Sequence, residues 1–143
     1  MDKDIDIIIY GATGFTGQLC VKYFQSLETP AKWAIAGRNQ EKLRKVAEEN
    51  LAEVEILIAD SDDEVALDNL TLRAKVILST AGPFHRYGSK LVASCVKNNT
   101  HYVDITGENF WVKGLIENHH EEAARKGISM AHKAGMSEHD VSR

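Results

Sequence analysis

Three regularly spaced glycines follow an apolar run near the start of the chain. Gly11, Gly14 and Gly17 come directly after the apolar residues Ile5–Tyr10. In this context the first glycine permits a tight turn, the second lets the backbone approach a pyrophosphate, and the third lets a helix pack closely on a strand. The free N–H groups and the positive end of that helix attract the anion. We therefore predict a nucleotide-binding turn formed by Gly11, Ala12, Thr13, Gly14, Phe15, Thr16 and Gly17.

A second position, about twenty residues beyond the glycines, distinguishes NAD from NADP. A carboxylate there would bind the ribose hydroxyls of NAD, but the chain reads Gly37, Arg38 and Asn39, with no acid. Arg38 is suited to a forked contact with a 2′-phosphate and to stacking on adenine. The alternative is a solvated arginine in the loop before a helix. The sequence favours NADP as the cofactor, with NAD as the alternative.

Two more predicted strand ends carry candidate cofactor contacts. Asp60 closes the third strand, where its carboxylate either accepts a hydrogen bond from the adenine amine or caps the next helix. The fourth strand is followed by Thr80, Ala81, Gly82 and Pro83. Small residues let the backbone approach the cofactor, and proline stiffens the loop. The alternative for this segment is an ordinary turn between a strand and a helix.

Polar residues near the fourth and fifth strand ends are open to two interpretations. Asp104 and Glu108 either line the active-site side or cap a long helix beginning near Asn109, and we favour capping. His85–Tyr87 lie on the predicted nicotinamide side, but the sequence assigns no catalytic residue among them. The chain has neither an HExxH motif nor paired CxxC motifs, so we expect no metal site.

These candidate residues require a scaffold that brings strand ends together. Short apolar runs alternate with helical patterns, and several runs are continuously apolar, as in strands buried on both faces. The alternation predicts an α/β fold: a Rossmann-type doubly wound parallel sheet of about six strands, in the order 3-2-1-4-5-6, with helices on both faces. The predicted strands are Ile5–Tyr10, Lys32–Ala36, Val54–Ala59, Lys75–Thr80, His101–Ile105 and Ile128–Ala131.

The helical patterns differ in strength. A long helix is predicted from about Asn109 to Lys126, with Gly127 as its stop. Asn39 is placed as the N-cap of the second helix, and Asp62–Leu72 is the weakest helical pattern. The first helix is predicted to bury an apolar face formed by Leu19, Cys20, Tyr23, Phe24 and Leu27.

The bulk composition is that of one ordinary globular domain. The chain has 143 residues, 43% of them hydrophobic and 27% charged, with a formal net charge of −4. This charge gives no reason to expect nucleic acid as a partner. Without a basic leader or a membrane-length apolar run, we expect no membrane segment and a cytoplasmic location. We expect residues 1–131 to form the cofactor-binding domain, followed by a polar tail at 132–143.

Together these motifs resemble the amino-terminal domain of the saccharopine dehydrogenase-like oxidoreductases. The resemblance rests on Tyr10–Gly17, Trp33–Leu43, Ser79–Gly88 and His101–Glu108, and continues through the helix ending EEAARKGI. It implies that the glycine turn holds the pyrophosphate, that Arg38 meets the adenosine end, and that the segment from Ala81 to Pro83 approaches the cofactor. The implied function is that of the NAD(P)-binding domain of an oxidoreductase that transfers a hydride, with NADP preferred.

The end of the chain differs from this family pattern. Similar members continue into a cysteine-glycine-phenylalanine turn and a substrate domain, whereas this chain reads Ala131–Ser137 and stops at Arg143. We therefore expect the substrate half to be absent, and keep a non-catalytic dinucleotide-binding or scaffold protein as the alternative. A domain without its substrate half should expose an apolar patch near Pro83, Phe84 and Trp111, through which it would either self-associate as a homo-oligomer or bind a partner.

Overall fold

A computed structural model describes residues 3–106 and 108–132 of the chain. Within them, all strands are parallel and form one sheet in the order β3-β2-β1-β4-β5-β6. The predicted fold class and strand order are thus confirmed. The strands are β1 Ile5–Tyr10, β2 Trp33–Gly37, β3 Glu55–Ile58, β4 Ala74–Ser79, β5 His101–Asp104 and β6 Met130–His132.

Helices connect consecutive strands, and most of their predicted ends are confirmed. Asn39 is the N-cap of the second helix, where its Oδ1 accepts a hydrogen bond from the Lys42 N–H at 3.0 Å. The long helix ends at Gly127, whose φ of +69° is the left-handed conformation that glycine adopts readily. The helices are α1 Phe15–Leu27, α2 Gln40–Glu49, α3 Glu64–Arg73, α4 Phe84–Tyr87, α5 Ser89–Lys97 and α6 Asn109–Lys126.

Each face of the sheet is covered by its own apolar core. The cluster on one face joins strand residues such as Ile9 to Val21 of α1 and Leu43 of α2. The cluster on the other face joins Ile8 to residues of α3, α5 and α6, including Leu91. Because neighbouring residues of a strand point to opposite faces, both Ile8 and Ile9 are buried. This explains why the strand sequences are continuously apolar.

The rotation of α1 about its axis differs from the prediction. Leu19, Tyr23 and Leu27 are exposed by 52%, 61% and 48%, whereas Val21 is fully buried. The rotation of α1 is determined by the close packing of Gly17 on the turn, since a Cβ on Gly17 would lie 2.7 Å from the Ala12 Cα. With Gly17 against the turn, the residues three, four and seven positions later face the sheet, namely Cys20, Val21 and Phe24.

Two further predictions concern location and domain limits. No helix among the described residues is both long and apolar enough to cross a membrane. The cytoplasmic location stays a prediction. His132 belongs to β6, one residue beyond the predicted domain limit, and the rest of the predicted tail, 133–143, lies outside the described residues.

Candidate functional site

The three glycines of the turn differ in what a side chain at each position would contact. Gly11 has a φ of +82°, and a Cβ on it would lie 2.9 Å from the Ala81 Cβ and backbone nitrogen. A Cβ on Gly17 would overlap Ala12, as described above. A Cβ on Gly14 would meet only the Gly11 carbonyl oxygen, at 3.6 Å. Gly11 and Gly17 therefore permit close packing within the protein, whereas Gly14 borders open space in which a ligand has room.

The amino end of α1 presents unpaired N–H groups beside that space. Gly14 is the N-cap residue and supplies no capping side chain, and the first turn contains no acidic residue. Among the described residues, the N–H groups of Phe15, Thr16 and Gly17 find no acceptor in the turns and loops around them. Unpaired N–H groups and the helix dipole both favour an anion at this position.

The tip of β2 presents a guanidinium without a carboxylate beside it. Arg38 is exposed and makes no ion pair with any carboxylate in the described part of the chain. The neighbouring Asn39 side chain is oriented by its role as the cap of α2, where its Oδ1 accepts from the Lys42 N–H. Tyr10 lies close enough for its pKa to respond to the Arg38 charge, although burial dominates and raises that pKa. Arg38 and the end of β1 therefore share one region of the carboxyl edge.

Asp60 does not cap the helix that follows it. Its Oδ1 instead accepts a hydrogen bond from the Asp62 N–H at 2.9 Å, which closes a local turn. The N-cap of α3 is Asp63, whose Oδ1 accepts from the Ala66 N–H at 3.0 Å. The capping interpretation of Asp60 is therefore wrong. The carboxylate is exposed at the end of β3, and its contact with adenine stays a prediction.

The loop after β4 is fastened to the glycine turn. The Thr80 N–H donates to the Tyr10 carbonyl at 2.9 Å, and its hydroxyl lies 3.0 Å from both the Tyr10 and Gly11 carbonyl oxygens. Ala81 touches Gly11, as described above. Gly82 and Pro83 follow in exposed positions. Thr80 therefore uses its polar groups inside the protein, and its role in the site is to fix the loop against the turn.

Glu108 binds a different helix from the one predicted. It occupies the N-cap position of α6 but makes no capping hydrogen bond with its side chain. Its carboxylate accepts from the Phe84 N–H at 2.5 Å and the His85 N–H at 2.9 Å, and also contacts the His85 Nδ1. Burial raises the pKa of Glu108, but these hydrogen bonds together outweigh it and hold the pKa below its ordinary value. Glu108 thus caps α4, which the sequence did not predict.

Asp104 also does not cap α6. It is buried at the end of β5 and contacts the imidazole of His132 at the end of β6. Sequence reasoning missed His132, because the two residues are 28 positions apart and come together only in the sheet. The signal was available in the predicted strand order, which places the carboxyl ends of the fifth and sixth strands side by side.

The apolar patch predicted at this edge has a different composition. Phe84 is only 6% exposed and packs against the Trp111 ring at a centroid distance of 5.8 Å. Trp111 is half-buried and Pro83 is exposed. Phe110, on the outer side of α6, is 95% exposed. A patch that includes Phe84 is therefore wrong, and self-association of the chain stays a prediction.

The predicted cofactor contacts meet at one edge of the sheet. The glycine turn, Arg38, Asp60 and the Thr80–Pro83 loop follow the carboxyl ends of β1, β2, β3 and β4. The crevice where the connections from β1 and β4 diverge is the usual ligand position in open parallel sheets. Open space at Gly14 and unpaired N–H groups fit a pyrophosphate, so the residues present fit a dinucleotide.

Comparisons with known proteins agree with this geometry. Residues 7–130 match the family model described as the saccharopine dehydrogenase NADP binding domain. Trans-acting enoyl reductases of Mycobacterium leprae and Mycobacterium tuberculosis H37Rv are each 39% identical, over 128 and 129 residues. The matches cover 87% and 88% of this chain but 31% of each relative. The chain therefore spans about a third of the length of these curated relatives.

Solved structures show the same fold. Saccharopine dehydrogenase (L-Glu forming) of Saccharomyces cerevisiae has a TM-score of 0.73 at 17% identity, covering 90% of this chain and 27% of that one. A short-chain dehydrogenase/reductase of Veillonella parvula, solved in complex with NADP, has a TM-score of 0.62 at 13% identity. The match covers 90% of this chain and 67% of that one. The family model matches most of the chain, so the predicted resemblance is confirmed. The chain belongs to the saccharopine dehydrogenase family, and residues 7–130 correspond to the NADP-binding domain of that family.

Proposed function

We propose that this domain binds NADPH in preference to NADH and holds it for hydride transfer in a reductase. The observation that supports the preference is the exposed Arg38 at the tip of β2, with no carboxylate beside it. A 2′-phosphate brings about two negative charges at neutral pH, which a guanidinium binds in a forked geometry. A ribose diol instead requires an acceptor, and the side chain of Asn39 already caps α2.

The remaining contacts follow from the geometry of the edge. The unpaired N–H groups at the start of α1 bind the pyrophosphate, and Gly14 leaves room for it. The exposed carboxylate of Asp60 accepts from the adenine amine. Thr80 and Ala81 keep the loop after β4 against the glycine turn, so that backbone lines the other side of the crevice.

The reaction class is carried over from the relatives as part of this proposal. The curated relatives are named trans-acting enoyl reductases, and their alignments cover 87% and 88% of this chain. We infer reduction of a double bond conjugated to a carbonyl, for which NADPH supplies the hydride. A non-catalytic dinucleotide-binding protein would share the same binding step, so binding is tested first and turnover second.

The test is a set of calorimetric titrations with NADPH and NADH. Replacing Arg38 with alanine removes a charge-assisted contact, so NADPH binding should weaken by about 1.5–3 kcal/mol while NADH binding stays nearly unchanged. Arg38→Asp should reverse the preference, because the carboxylate accepts from the diol and repels the phosphate. Arg125→Ala is the matched control, since Arg125 is exposed in the last turn of α6, at the opposite edge of the sheet.

Two outcomes would contradict the proposal. Equal weakening of both nucleotides by Arg38→Ala would mean that the guanidinium stacks on adenine and does not recognise the phosphate. Undetectable binding of either nucleotide to the wild-type chain would remove the cofactor role itself. Turnover is measured on a protein that joins this domain to the substrate half of a relative: NADPH binding without enoyl reduction by that protein would support the non-catalytic alternative.

A further inference from the structure

A buried imidazole–carboxylate pair lies at the carboxyl edge, outside the contacts assigned above. The His132 Nδ1 is 3.0 Å from both carboxylate oxygens of Asp104. The Asp104 side chain is fully buried, and the His132 side chain is 10% exposed. The two residues are direct partners in the register of β5 and β6, so their side chains leave the sheet on the same face. A buried charged pair of this kind is costly unless its groups are fully hydrogen-bonded.

The other partners of Asp104 determine where the imidazole carries its proton. The Tyr102 hydroxyl donates to Asp104 Oδ2 at 2.7 Å, and the Thr106 N–H donates to Oδ1 at 3.1 Å. A carboxylate whose oxygens already accept from these donors acts as an acceptor towards His132 as well. The His132 Nδ1 must therefore donate to Asp104. This leaves Nε2 as the nitrogen able to gain or release a proton.

The packing of the His132 ring leaves Nε2 accessible at the protein surface. The His132 ring lies between Tyr102, at a centroid distance of 5.7 Å, and the edge of Trp111, at 6.0 Å. Among the described residues, every fully buried side-chain nitrogen or oxygen has a hydrogen-bond partner, whereas Nε2 has none. Nε2 therefore belongs to the exposed tenth of the side chain. Among the described residues, the titratable groups in contact with the His132 ring are Asp104 and Tyr102, both on β5, since Trp111 carries no charge.

The Asp104–His132 pair lies in the half of the sheet that would bind the nicotinamide end of the cofactor. A doubly wound sheet has two mononucleotide-binding halves, which meet between β1 and β4: here they are β1 to β3 and β4 to β6. Arg38 marks the adenosine side, at β2, while Asp104 and His132 close β5 and β6 on the opposite side. The exposed Nε2 thus lies at the same sheet edge as the glycine turn, in the half where reduction would occur.

We propose that His132 is the proton-exchanging residue of the reductase site and that Asp104 is its positioning residue. The inference rests on the proposed function, because reduction of a conjugated double bond consumes one hydride and one proton. The hydride comes from the reduced dinucleotide, which is oxidised. The proton comes from His132: the Nε2–H bond breaks, and a bond forms between that hydrogen and the substrate atom that received the electron pair. Water then returns a proton to Nε2.

The experiment begins with nitrogen-15 NMR of the histidine rings in the wild-type chain. The spectrum should show a proton on His132 Nδ1, hydrogen-bonded to Asp104, and an Nε2 that exchanges its proton with water. Addition of NADP⁺ should shift the His132 ring resonances, whereas 2′,5′-ADP, which occupies only the adenosine half, should leave them in place. His120, exposed on α6, is the internal control and should respond to neither ligand. Asp104→Asn should then disturb the Nδ1–H preference of His132.

Each other result is decisive. If NADP⁺ shifts backbone amide resonances of the glycine turn and Arg38 in the same nitrogen-15-labelled sample but leaves the His132 ring resonances in place, the pair is structural and this proposal is wrong. An Nε2 that stays protonated at every pH would also overturn it. If NADP⁺ shifts no resonance at all, the proposed function fails, and this inference fails with it.

Discussion

At the scale of single residues, the glycine turn separates packing from binding. Gly11 and Gly17 each lie against protein atoms, at Ala81 and Ala12, so a side chain at either position would disturb the fold. Gly14 has ordinary extended dihedral angles, φ −74° and ψ 170°, and open space beside it. Among these three glycines, Gly14 is therefore the position where a side chain would obstruct a ligand without straining the protein.

The first prediction is that Gly14→Val abolishes NADPH binding and leaves the domain folded. The valine side chain would occupy the space that the pyrophosphate requires, while the backbone keeps its conformation. Calorimetric titration measures the loss of binding, and circular dichroism checks the fold. Gly114→Val on α6 is the matched control, because a Cβ there also meets no atom within 4 Å. Unchanged affinity in Gly14→Val would exclude the turn as the binding site.

Side-chain partners were the part of the site that sequence could not predict. Local rules correctly gave Asn39 as a cap, because a cap joins residues three apart in the chain. The same rules placed Asp104 and Glu108 on α6, whereas Glu108 binds α4, 23 or 24 positions away. Local propensity has no information on which of several donors arrives from another part of the chain.

The acidic cap of α4 gives a further prediction at this scale. Replacing Glu108 with glutamine removes the charge that accepts from the Phe84 and His85 N–H groups, so the domain should lose stability at neutral pH. The folded pKa of Glu108 is lowered, so its contribution is present above the ordinary glutamate pKa and is lost as pH falls through the folded value. Urea titrations across pH should show the variant and wild type converging in acid. A difference that persists there would indicate lost packing instead.

At the scale of elements, α1 shows how one glycine decides which face of a helix is buried. The helix is apolar around most of its circumference, so hydrophobic periodicity alone does not select a face. Gly17 selects it, because the closest approach to the turn must occur at the residue without a side chain. A prediction that began from Gly17 would have placed Cys20, Val21 and Phe24 inward and Leu19 outward.

This argument predicts opposite outcomes for two neighbouring truncations. Val21 is fully buried, so Val21→Ala should lower the free energy of unfolding by about 1–3 kcal/mol. Leu19→Ala removes more carbon but from an exposed position, so its effect should stay within about 0.5 kcal/mol. Urea denaturation of both variants measures the two effects. If Leu19→Ala is the more damaging, the helix has the rotation predicted from periodicity.

At the scale of the whole molecule, the two edges of the sheet have different electrostatics. At the amino edge, the Arg73 guanidinium joins Asp4, before β1, to Glu55, at the start of β3, each at 2.7 Å. Lys75 and Asp6 form a further ion pair across β4 and β1, at 3.0 Å. At the carboxyl edge, Arg38 forms no ion pair with a described carboxylate. The acidic residues at the amino edge are thus paired with basic ones, whereas the Arg38 guanidinium at the carboxyl edge is not paired with a described carboxylate.

The strand order at this scale was accessible to sequence reasoning. The glycine turn after the first strand identified β1 as the centre of a dinucleotide-binding sheet, and right-handed crossovers then determined the remaining order. The Arg73 cluster was not accessible, since Asp4 and Arg73 are 69 positions apart and meet only across the assembled edge. The order of strands depends on general rules of connection, whereas such ion pairs depend on individual side chains.

The arginine cluster determines how stability responds to acid. The hydrogen bonds from Arg73 lower the pKa of Asp4 to about 2 and also lower the pKa of Glu55. A carboxylate with a lowered folded pKa stabilises the protein above its unfolded pKa, about 4, and this contribution disappears as pH falls towards the folded value. Wild-type stability should therefore fall between about pH 4 and pH 2 as these groups take up protons.

Replacing Arg73 with alanine should remove this part of the acid transition. The variant should unfold at a lower urea concentration than wild type at neutral pH, and the gap should narrow below about pH 4, because wild type loses there what the variant already lacks. The cluster is partly exposed, so added salt should narrow the gap as well. Arg44→Ala, at an exposed position of α2, is the control and should leave the pH profile unchanged. A gap that stays constant from pH 7 to pH 2 would mean that Arg73 acts through the packing of its side chain and not through its charge.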